Sequence, residues 1–410
     1  MNASGFRIES DALGSIELPA DALYGIQTAR AAANLSFSGR TLGSLPAYVW
    51  ALGAVKRAAA RANHEVDALD RRSTAAIEAA CALLLDGQHL EAFPVDVLGG
   101  GGSIGINMNI NEVVANLANE QLGSRRGTYQ PIDPKRHVNL SQSTADVCHT
   151  ALRIAILRQW PQVEGGLAAL VRCLRDKAAS FAAVPTLART CLQDALPTHL
   201  GVLFGGYAEL LDRRRHELAH SVVALRAVSL GGTVIGTGEA AAAGYAERVV
   251  GHLTETTGFA LSRRGALPDA LQNSDDIGAV SSQLALLAQA LLKVAQDLRL
   301  LASGPRGGFA EIVLPHVQSG SSFFVAKSNP VIPETLMQCA FQVLGCDRAV
   351  QAAVEHAELY LNVFDGLAAV NVLDAFSMLA KSIALFEEKC LRDLKANEDR
   401  CRELAVFGKG

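Results

Sequence analysis

The sequence DDIGAVSSQLALLAQALLKVAQDLRLL, residues 275–301, sets the fold class of this chain. Its apolar residues recur at alternating steps of three and four: Ile277, Val280, Leu284, Leu287, Leu291, Val294, Leu298 and Leu301. This spacing predicts one long helix whose apolar stripe packs along a seam against other helices. Asp275 and Asp276 complement the helix dipole at its N-terminus, and Gly304 with Pro305 ends the helix.

A second apolar stripe follows further along the chain, through Val372, Phe376, Leu379, Ile383, Phe386, Cys390 and Leu394. Long helices that are striped on more than one side predict a bundle shared between subunits. The composition agrees, because half of the 410 residues are hydrophobic, only 5% are aromatic, and alanine and leucine are abundant. The predicted fold class is therefore all-α, a long-helix bundle.

Glycines, prolines and apolar spacing predict the organisation of the rest of the chain. Residues 1 to about 30 are expected to be extended or loop-like, and residues 46–85 helical. The glycines at 99–102 and 105 indicate a flexible loop before a helix that Gly123 stops. They do not form a phosphate-binding motif, because no lysine followed by Ser or Thr closes them. Prolines in 129–137 indicate a connector, so the first two predicted domains are 1–137 and 138–394.

Charge and cysteine content indicate a soluble, cytoplasmic protein. The net charge of −4 gives no reason to expect nucleic acid or an anionic membrane as a partner. The 8 cysteines are scattered without CxxC pairing, and the N-terminus lacks the features of a signal peptide. No apolar stretch is expected to span a bilayer. No metal-ligand spacing is present in the sequence, and no cofactor is predicted.

The most informative polar run is Gln-Ser-Gly-Ser-Ser-Phe-Phe-Val-Ala-Lys-Ser-Asn-Pro, residues 318–330. It offers two hydroxyls, a cation and an amide, from Ser321, Ser322, Lys327 and Asn329. Such a set can bind a carboxylate and, if one hydroxyl is activated, remove a proton. By composition alone, the run is typical of a polar surface loop. The following Pro333 and Glu334 predict a helix start, and Gly345 its end.

The order of residues in this run resembles the signature loop of the aspartase/fumarase superfamily, Gly-Ser-Ser-x-x-Pro-x-Lys-x-Asn-Pro. Every defined position matches except one, where Val325 replaces proline. Other segments resemble the family in the same order: Tyr24–Thr28, Asn107–Glu112, Gln142–Thr144, Arg189–Ala195 and Ser303–Gly308. The resemblance implies a homotetramer with composite active sites. It also implies that residues 395–410 are the remnant of a small helical C-terminal domain.

The resemblance further implies an anti β-elimination from a small dicarboxylate to give fumarate. Ser321 matches the catalytic base, and Lys327 is the nearby cation. The residues matched to the α-carboxylate are Thr190, Lys327 and Asn329, and those matched to the β-carboxylate are Ser143, Thr144 and Ser322. Ile104 stands where the family has a further threonine, and Ser103 beside it is a weaker substitute. Taken without the family, Ser143 and Thr144 are also typical helix caps.

The departures from the family cluster around the leaving group. Ala145 and Cys191 stand where aspartase-like enzymes have an asparagine and a histidine or glutamine that bind the amino group. Each hydrogen bond to a charged group is worth roughly 1.5–3 kcal/mol, so free aspartate should bind poorly. We therefore expect a leaving group other than plain ammonia, such as a substituted amine, a nitrogen–nitrogen group or a nitro group. A catalytic role for the Cys191 thiol is less favoured, because no Cys–His spacing supports it.

Three functions fit these residues. The leading interpretation is a carbon–nitrogen lyase similar to aspartate ammonia-lyases. A fumarase-like hydratase is the second, although fumarases normally have the histidine that Cys191 replaces. The third is a pseudoenzyme kept for its assembly, but drift would be expected to spread across Ser321, Lys327 and Asn329, which all persist.

Overall fold

The computed structural model of the chain describes residues 5–407. These residues form helices α1 (Ile26–Leu35), α2 (Pro46–Glu65), α3 (Arg71–Leu85), α4 (Ile104–Gln121), α5 (Thr144–Ser180), α6 (Leu200–Ala224), α7 (Tyr245–Thr257), α8 (Leu267–Gln272), α9 (Asp275–Leu301), α10 (Val331–Glu355), α11 (Asp365–Phe386) and α12 (Glu398–Phe407). The strands are β1 (Phe6–Asp11), β2 (Gly14–Pro19), β3 (Pro185–Thr190), β4 (Gln193–His199), β5 (Ala227–Val228), β6 (Ser262–Arg263), β7 (Ile312–Val313) and β8 (Lys395–Ala396). The strands pair only two by two, so the all-α prediction is confirmed.

Both predicted apolar stripes are buried. On α9, all the stripe residues from Ile277 to Leu298 are at most 1% exposed, and Leu301 is 7% exposed. The second stripe, from Val372 to Leu394, is at most 1% exposed throughout and continues from α11 into a π-helical turn, Glu387–Leu391. The three-and-four spacing therefore located these long helices correctly.

The helix after the polar run has Pro333 and Glu334 in its first turn, as predicted, but it ends later than predicted. α10 begins at Val331, two residues before Pro333, and it continues through Gly345 to Glu355. Glycine in a helix interior costs about 1 kcal/mol relative to alanine. Beyond Gly345 the helix buries Cys346, Val350 and Ala353, and this burial outweighs that cost.

Two helical stretches are apolar enough to cross a membrane by length and composition, which corrects the expectation that none is. They are Asp275–Leu301 and Asp365–Leu391, each with a mean hydropathy of 1.5 over its most apolar window. In both, 61% of that window is buried inside the fold. Core helices of soluble proteins pass the same test, and packing accounts for the apolar character here.

The described residues cluster into two units, each made of three separate stretches of the chain. The first unit contains residues up to 159, then 222–278 and 349–373. The second contains 160–221, 279–348 and the residues from 374 onward. Boundaries fall inside α5, α6, α9, α10 and α11, so long helices supply residues to both units.

Packing in the first unit centres on α2. This helix contacts α3 and α7, and α3 contacts α4. A buried ion pair joins the beginnings of α5 and α9, because Arg153 Nε and Nη2 donate to the two oxygens of Asp276 at 2.7 Å each. The Arg153 side chain is 1% exposed, so the Asp276 carboxylate compensates a positive charge that has almost no contact with water.

In the second unit, β3 and β4 form an antiparallel hairpin, with α12 packed against β3. β7 pairs with β8, so residues 395 and 396 are part of this unit's backbone pairing. The hairpin was not predicted. Its turn residues, Cys191 and Leu192, have φ of 53° and 59°, a conformation that the sequence usually signals with Asn or Gly.

The Asp276 ion pair gives a stability prediction. Asp276→Asn leaves the buried guanidinium without its anion, and we expect the free energy of unfolding to fall by about 3–5 kcal/mol. Asp275→Asn is the matched control, since Asp275 is exposed at the same helix N-terminus and should change stability by less than about 1 kcal/mol. Urea unfolding followed by circular dichroism compares them. Equal losses in the two variants would contradict the account.

Candidate active site

The predicted site residues fall into two groups, one in each unit. Ile104, Ser143, Thr144 and Ala145 belong to the first unit. The second unit contains Thr190, Cys191, Ser321, Ser322, Lys327 and Asn329. Each group has its own supporting hydrogen bonds.

Ser143 and Thr144 lie at the start of α5, where a capping box fixes them. The backbone N–H of Ser143 donates to Asp146 Oδ1 at 2.9 Å, and Ser143 Oγ accepts from the N–H of Ala145 at 3.3 Å. Thr144 Oγ1 accepts from Asn107 Nδ2 at 3.0 Å. A hydroxyl that accepts a hydrogen bond still has a proton to donate, so both half-buried hydroxyls can donate to an anion. The capping role and the binding role are therefore compatible.

Asp146 connects this helix start to the loop after β5. Its Oδ2 accepts from the backbone N–H groups of Gly231 at 3.1 Å and Thr233 at 3.0 Å. Burial raises the pKa of Asp146 to about 6, against the lowering effect of its three N–H donors. The carboxylate is thus ionised at neutral pH, where it fixes the backbone around Ser143.

Lys56 lies fully buried on α2 behind the same helix start, and the sequence reasoning missed it. Its Nζ donates to Asn107 Oδ1 and Asn139 Oδ1 at 2.9 Å each, and to Gln142 Oε1 at 3.0 Å. Burial lowers the pKa of Lys56 to about 7. A signal was available, since Lys56 follows buried Leu52 by four residues and precedes buried Asn63 by seven, so all three share one helix face.

Ile104 leaves this group without its third hydroxyl. It is the first residue of α4 and is 48% exposed beside a cavity of about 210 Å³. Ser103 does not replace the missing threonine, because its hydroxyl donates to buried Asp365 Oδ1 at 2.7 Å. Ala145, at 5% exposed, presents only a methyl group near the helix start.

The signature loop brings Ser321, Lys327 and Asn329 together. The N–H of Gly320 donates to the Lys327 carbonyl at 3.0 Å, and Asn329 Nδ2 donates to the Gly320 carbonyl at 2.7 Å. These bonds close the loop on itself, with Ser322 and Lys327 exposed. Val325, at the position where the family has proline, is fully exposed and contributes nothing to the core.

The hydroxyl oxygen of Ser321 has an environment suited to negative charge. It accepts the backbone N–H of Phe323 at 3.0 Å and that of Phe324 at 2.9 Å. Two N–H dipoles aimed at one oxygen stabilise an alkoxide relative to the neutral hydroxyl. A serine that acts as a base needs stabilisation of this kind.

Thr190 and Cys191 lie at the exposed tip of the β3–β4 hairpin. Glu311, 1% exposed, anchors the hairpin by accepting from Arg189 Nη1 at 2.5 Å and from the Thr186 hydroxyl. The sequence reasoning did not identify Glu311. The Cys191 side chain is exposed and unbonded to another cysteine. Among residues 5–407, no group of three or more His, Cys, Asp or Glu side chains is arranged to hold a metal ion.

The close approach at Gly320 gives a second prediction. A Cβ added there would lie 2.4 Å from the Lys327 carbonyl oxygen and 2.7 Å from the Asn329 nitrogen, so Gly320→Ala must open the loop. We expect kcat/KM for the predicted elimination to fall at least about tenfold, or roughly 1.4 kcal/mol, with little change in melting temperature. Gly307→Ala is the control, because its Cβ meets nothing within 4 Å. Unchanged kcat/KM in Gly320→Ala would contradict the role of the closed loop.

Comparisons with known proteins identify the family of this chain. A sequence profile described as lyase matches residues 14–345. The aspartate ammonia-lyase of Pseudomonas fluorescens is 42% identical over 415 residues, covering 100% of this chain and 86% of that protein. The aspartate ammonia-lyase of Bacillus subtilis (strain 168) is 39% identical, covering 99% of this chain and 85% of that protein.

Solved structures give the same result. The "fumarate lyase:delta crystallin from Brucella melitensis bound to cobalt" superposes with a TM-score of 0.95 at 43% identity, covering 97% of this chain and 87% of that one. The class II fumarase from Schistosoma mansoni superposes with a TM-score of 0.94 at 30% identity, covering the same shares. The resemblance read from the signature loop is confirmed over nearly the whole chain. The chain belongs to the aspartase/fumarase superfamily and is a carbon–nitrogen lyase of the aspartate ammonia-lyase type.

Proposed function

We propose that this lyase uses Ser321 to remove the Cβ proton of an aspartate-like or substituted succinate, and releases fumarate as a nitrogen leaving group departs from Cα. The observation that carries this proposal is the pair of backbone N–H groups directed at Ser321 Oγ. A serine hydroxyl is a poor base at its ordinary pKa, and it needs such donors to form an alkoxide. Lys327, on the same loop, adds a cation to the site.

The Ser321 alkoxide takes the Cβ proton, and the C–H electron pair moves onto the adjacent carboxylate to give a doubly negative aci-carboxylate. The electron pair of the aci-carboxylate then moves back to form the Cα–Cβ double bond, and the electron pair of the C–N bond leaves with nitrogen. An ammonium-type substrate therefore yields fumarate, a neutral amine and a protonated Ser321. The barrier lies in the aci-carboxylate, so donors at that end matter most.

We propose that the hydrogen-bond donors of the two groups each bind one carboxylate of the substrate. Ser143 and Thr144, each with a hydroxyl proton available to donate, bind the β-carboxylate together with Ser322. Thr190, Lys327 and Asn329 bind the α-carboxylate. We further propose that the chain assembles as a homotetramer in which each active site takes residues from more than one copy.

The leaving group in this proposal is larger or less polar than ammonia. Ala145 offers a buried methyl group where an amide would bind an ammonium, and Cys191 offers a thiol at the hairpin tip. Two lost hydrogen bonds to a charged group weaken aspartate binding by roughly 3–6 kcal/mol in total, if each contributes about 1.5–3 kcal/mol. A nitro group has no N–H to donate to such acceptors, and a substituted amine has fewer N–H groups than the ammonium of aspartate.

One assay tests the base and the leaving group together. Fumarate absorbance is followed with aspartate, N-methylaspartate and nitrosuccinate, for wild type, Ser321→Ala and Ser319→Ala. We expect wild type to prefer a substituted substrate over aspartate, and Ser321→Ala to lose about 10²- to 10⁴-fold in kcat. Ser319→Ala should keep most activity, because its hydroxyl bonds only a carbonyl of the same loop, that of Ser321 at 3.2 Å.

Two results would contradict the parts of this proposal separately. Equal turnover by Ser321→Ala and wild type would exclude Ser321 as the base. Efficient turnover of aspartate alone would exclude the substituted leaving group and leave the base intact.

In that assay, Ala145→Asn restores an amide and should raise kcat/KM for aspartate by about tenfold or more.

A further inference from the structure

Lys56 has no role in the reaction as described, yet it is the buried cation behind Ser143 and Thr144. Its ammonium has three N–H donors, and the structure supplies three amide oxygens, from Asn107, Asn139 and Gln142. All its donors are therefore used inside the protein. Lys56 does not touch a substrate, and any effect it has on one must pass through these amides.

The amide of Asn107 links Lys56 to Thr144, because Lys56 determines which way this amide is oriented. An ammonium has no acceptor, so the oxygen of Asn107 must face Lys56 and its Nδ2 must face away. Nδ2 donates to Thr144 Oγ1 at 3.0 Å and to Asn139 Oδ1 at 3.1 Å. Because Thr144 Oγ1 accepts from Asn107, its own proton is directed elsewhere. If the amide were reversed, the Thr144 hydroxyl would donate to the Asn107 oxygen, and its proton would no longer be available to a ligand.

Gln142 fixes the backbone just before Ser143 in the same way. Its oxygen faces Lys56, so its Nε2 donates to the carbonyls of Val138 at 2.9 Å and Leu140 at 3.0 Å. The segment that leads into α5 is thereby held to the lysine. One buried ammonium sets the direction of the hydrogen bonds on both sides of the Ser143–Thr144 pair.

We propose that Lys56 is a positioning residue for the β-carboxylate, which directs the Thr144 hydroxyl toward the anion through Asn107 and supplies the buried positive charge of that subsite. This inference rests on the proposed function, because it requires a dicarboxylate at Ser143 and Thr144. A chain of hydrogen bonds that begins at a cation and ends at an anion is polarised in one direction throughout. Its contribution grows as the aci-carboxylate gains charge.

The charge of Lys56 then depends on the ligand. Burial lowers its pKa to about 7, against the raising effect of Cys148, Asp146 and Cys81. Burial also raises the pKa of both thiols, that of Cys81 to about 12, so they are neutral, and Asp146 is the ionised group that faces the lysine. A bound dianion favours the protonated amine and raises its pKa. Above about pH 7, binding must therefore take up a proton.

Calorimetry of succinate binding to the intact protein tests this inference. Titrations at pH 8 in two buffers of different ionisation enthalpy give the protons taken up per site. We expect uptake approaching one proton for wild type, and affinity that is nearly constant from about pH 6 to 7 and falls by up to about tenfold per pH unit above pH 7. Lys56→Met should abolish the uptake and weaken succinate binding at pH 6.5 at least about tenfold. Lys135→Met, which removes an exposed lysine of the same unit, should match wild type.

Lys56→Met leaves three amide oxygens without their donor, so its folding is checked first by circular dichroism. Lys56→Gln, which keeps two N–H donors for the cluster, is the second variant with the same expected result. Wild-type binding without proton uptake at pH 8, or unchanged uptake in either variant, would overturn the role of Lys56. Failure of wild type to bind succinate at any pH would instead overturn the proposed function, and this inference with it.

Discussion

Two buried ionisable side chains, Lys56 and Asp146, lie around the start of α5, and both need hydrogen-bond partners there. Lys56 is surrounded by three amide oxygens, and Asp146 accepts three backbone N–H groups. An unpaired buried charge would cost several kcal/mol, so these bonds have to form together. Ser143 is held by Asp146 and by its own capping bond from Ala145, and Thr144 is held by Asn107.

The second group of site residues obeys a similar constraint on a loop. Gly320 lets the backbone approach Lys327 and Asn329 closely, and the closed loop directs two N–H groups at Ser321. In both groups, dipoles are aligned before any substrate is present. Such preorganisation is what makes electrostatic stabilisation effective in catalysis, because no reorientation is needed when charge develops.

Much of the fold could be predicted from the sequence, because the α9 and α11 stripes repeat at helical spacing over many turns. Local signals were less reliable. Gly345 predicted a helix end, but α10 continues beyond it because apolar residues on both sides of Gly345 are buried. The β3–β4 hairpin was missed because Cys191 and Leu192 occupy turn positions that usually have Asn or Gly. For the site, the order of residues in 318–330 predicts Ser321, Lys327 and Asn329, and this stays a prediction. Lys56 and Glu311 were missed because a charged residue within an apolar helix or beside a loop is usually solvated.

The central proposal is that the two groups of donors, contributed by more than one copy of the chain, hold one diacid with its methylene carbon at Ser321. A crystal structure of the assembled protein with succinate tests it most directly. The account predicts one carboxylate on Ser143 and Thr144, the other on Lys327 and Asn329, and a methylene carbon about 3–3.5 Å from Ser321 Oγ. A succinate bound with both carboxylates away from Ser321 and Lys327 would contradict it.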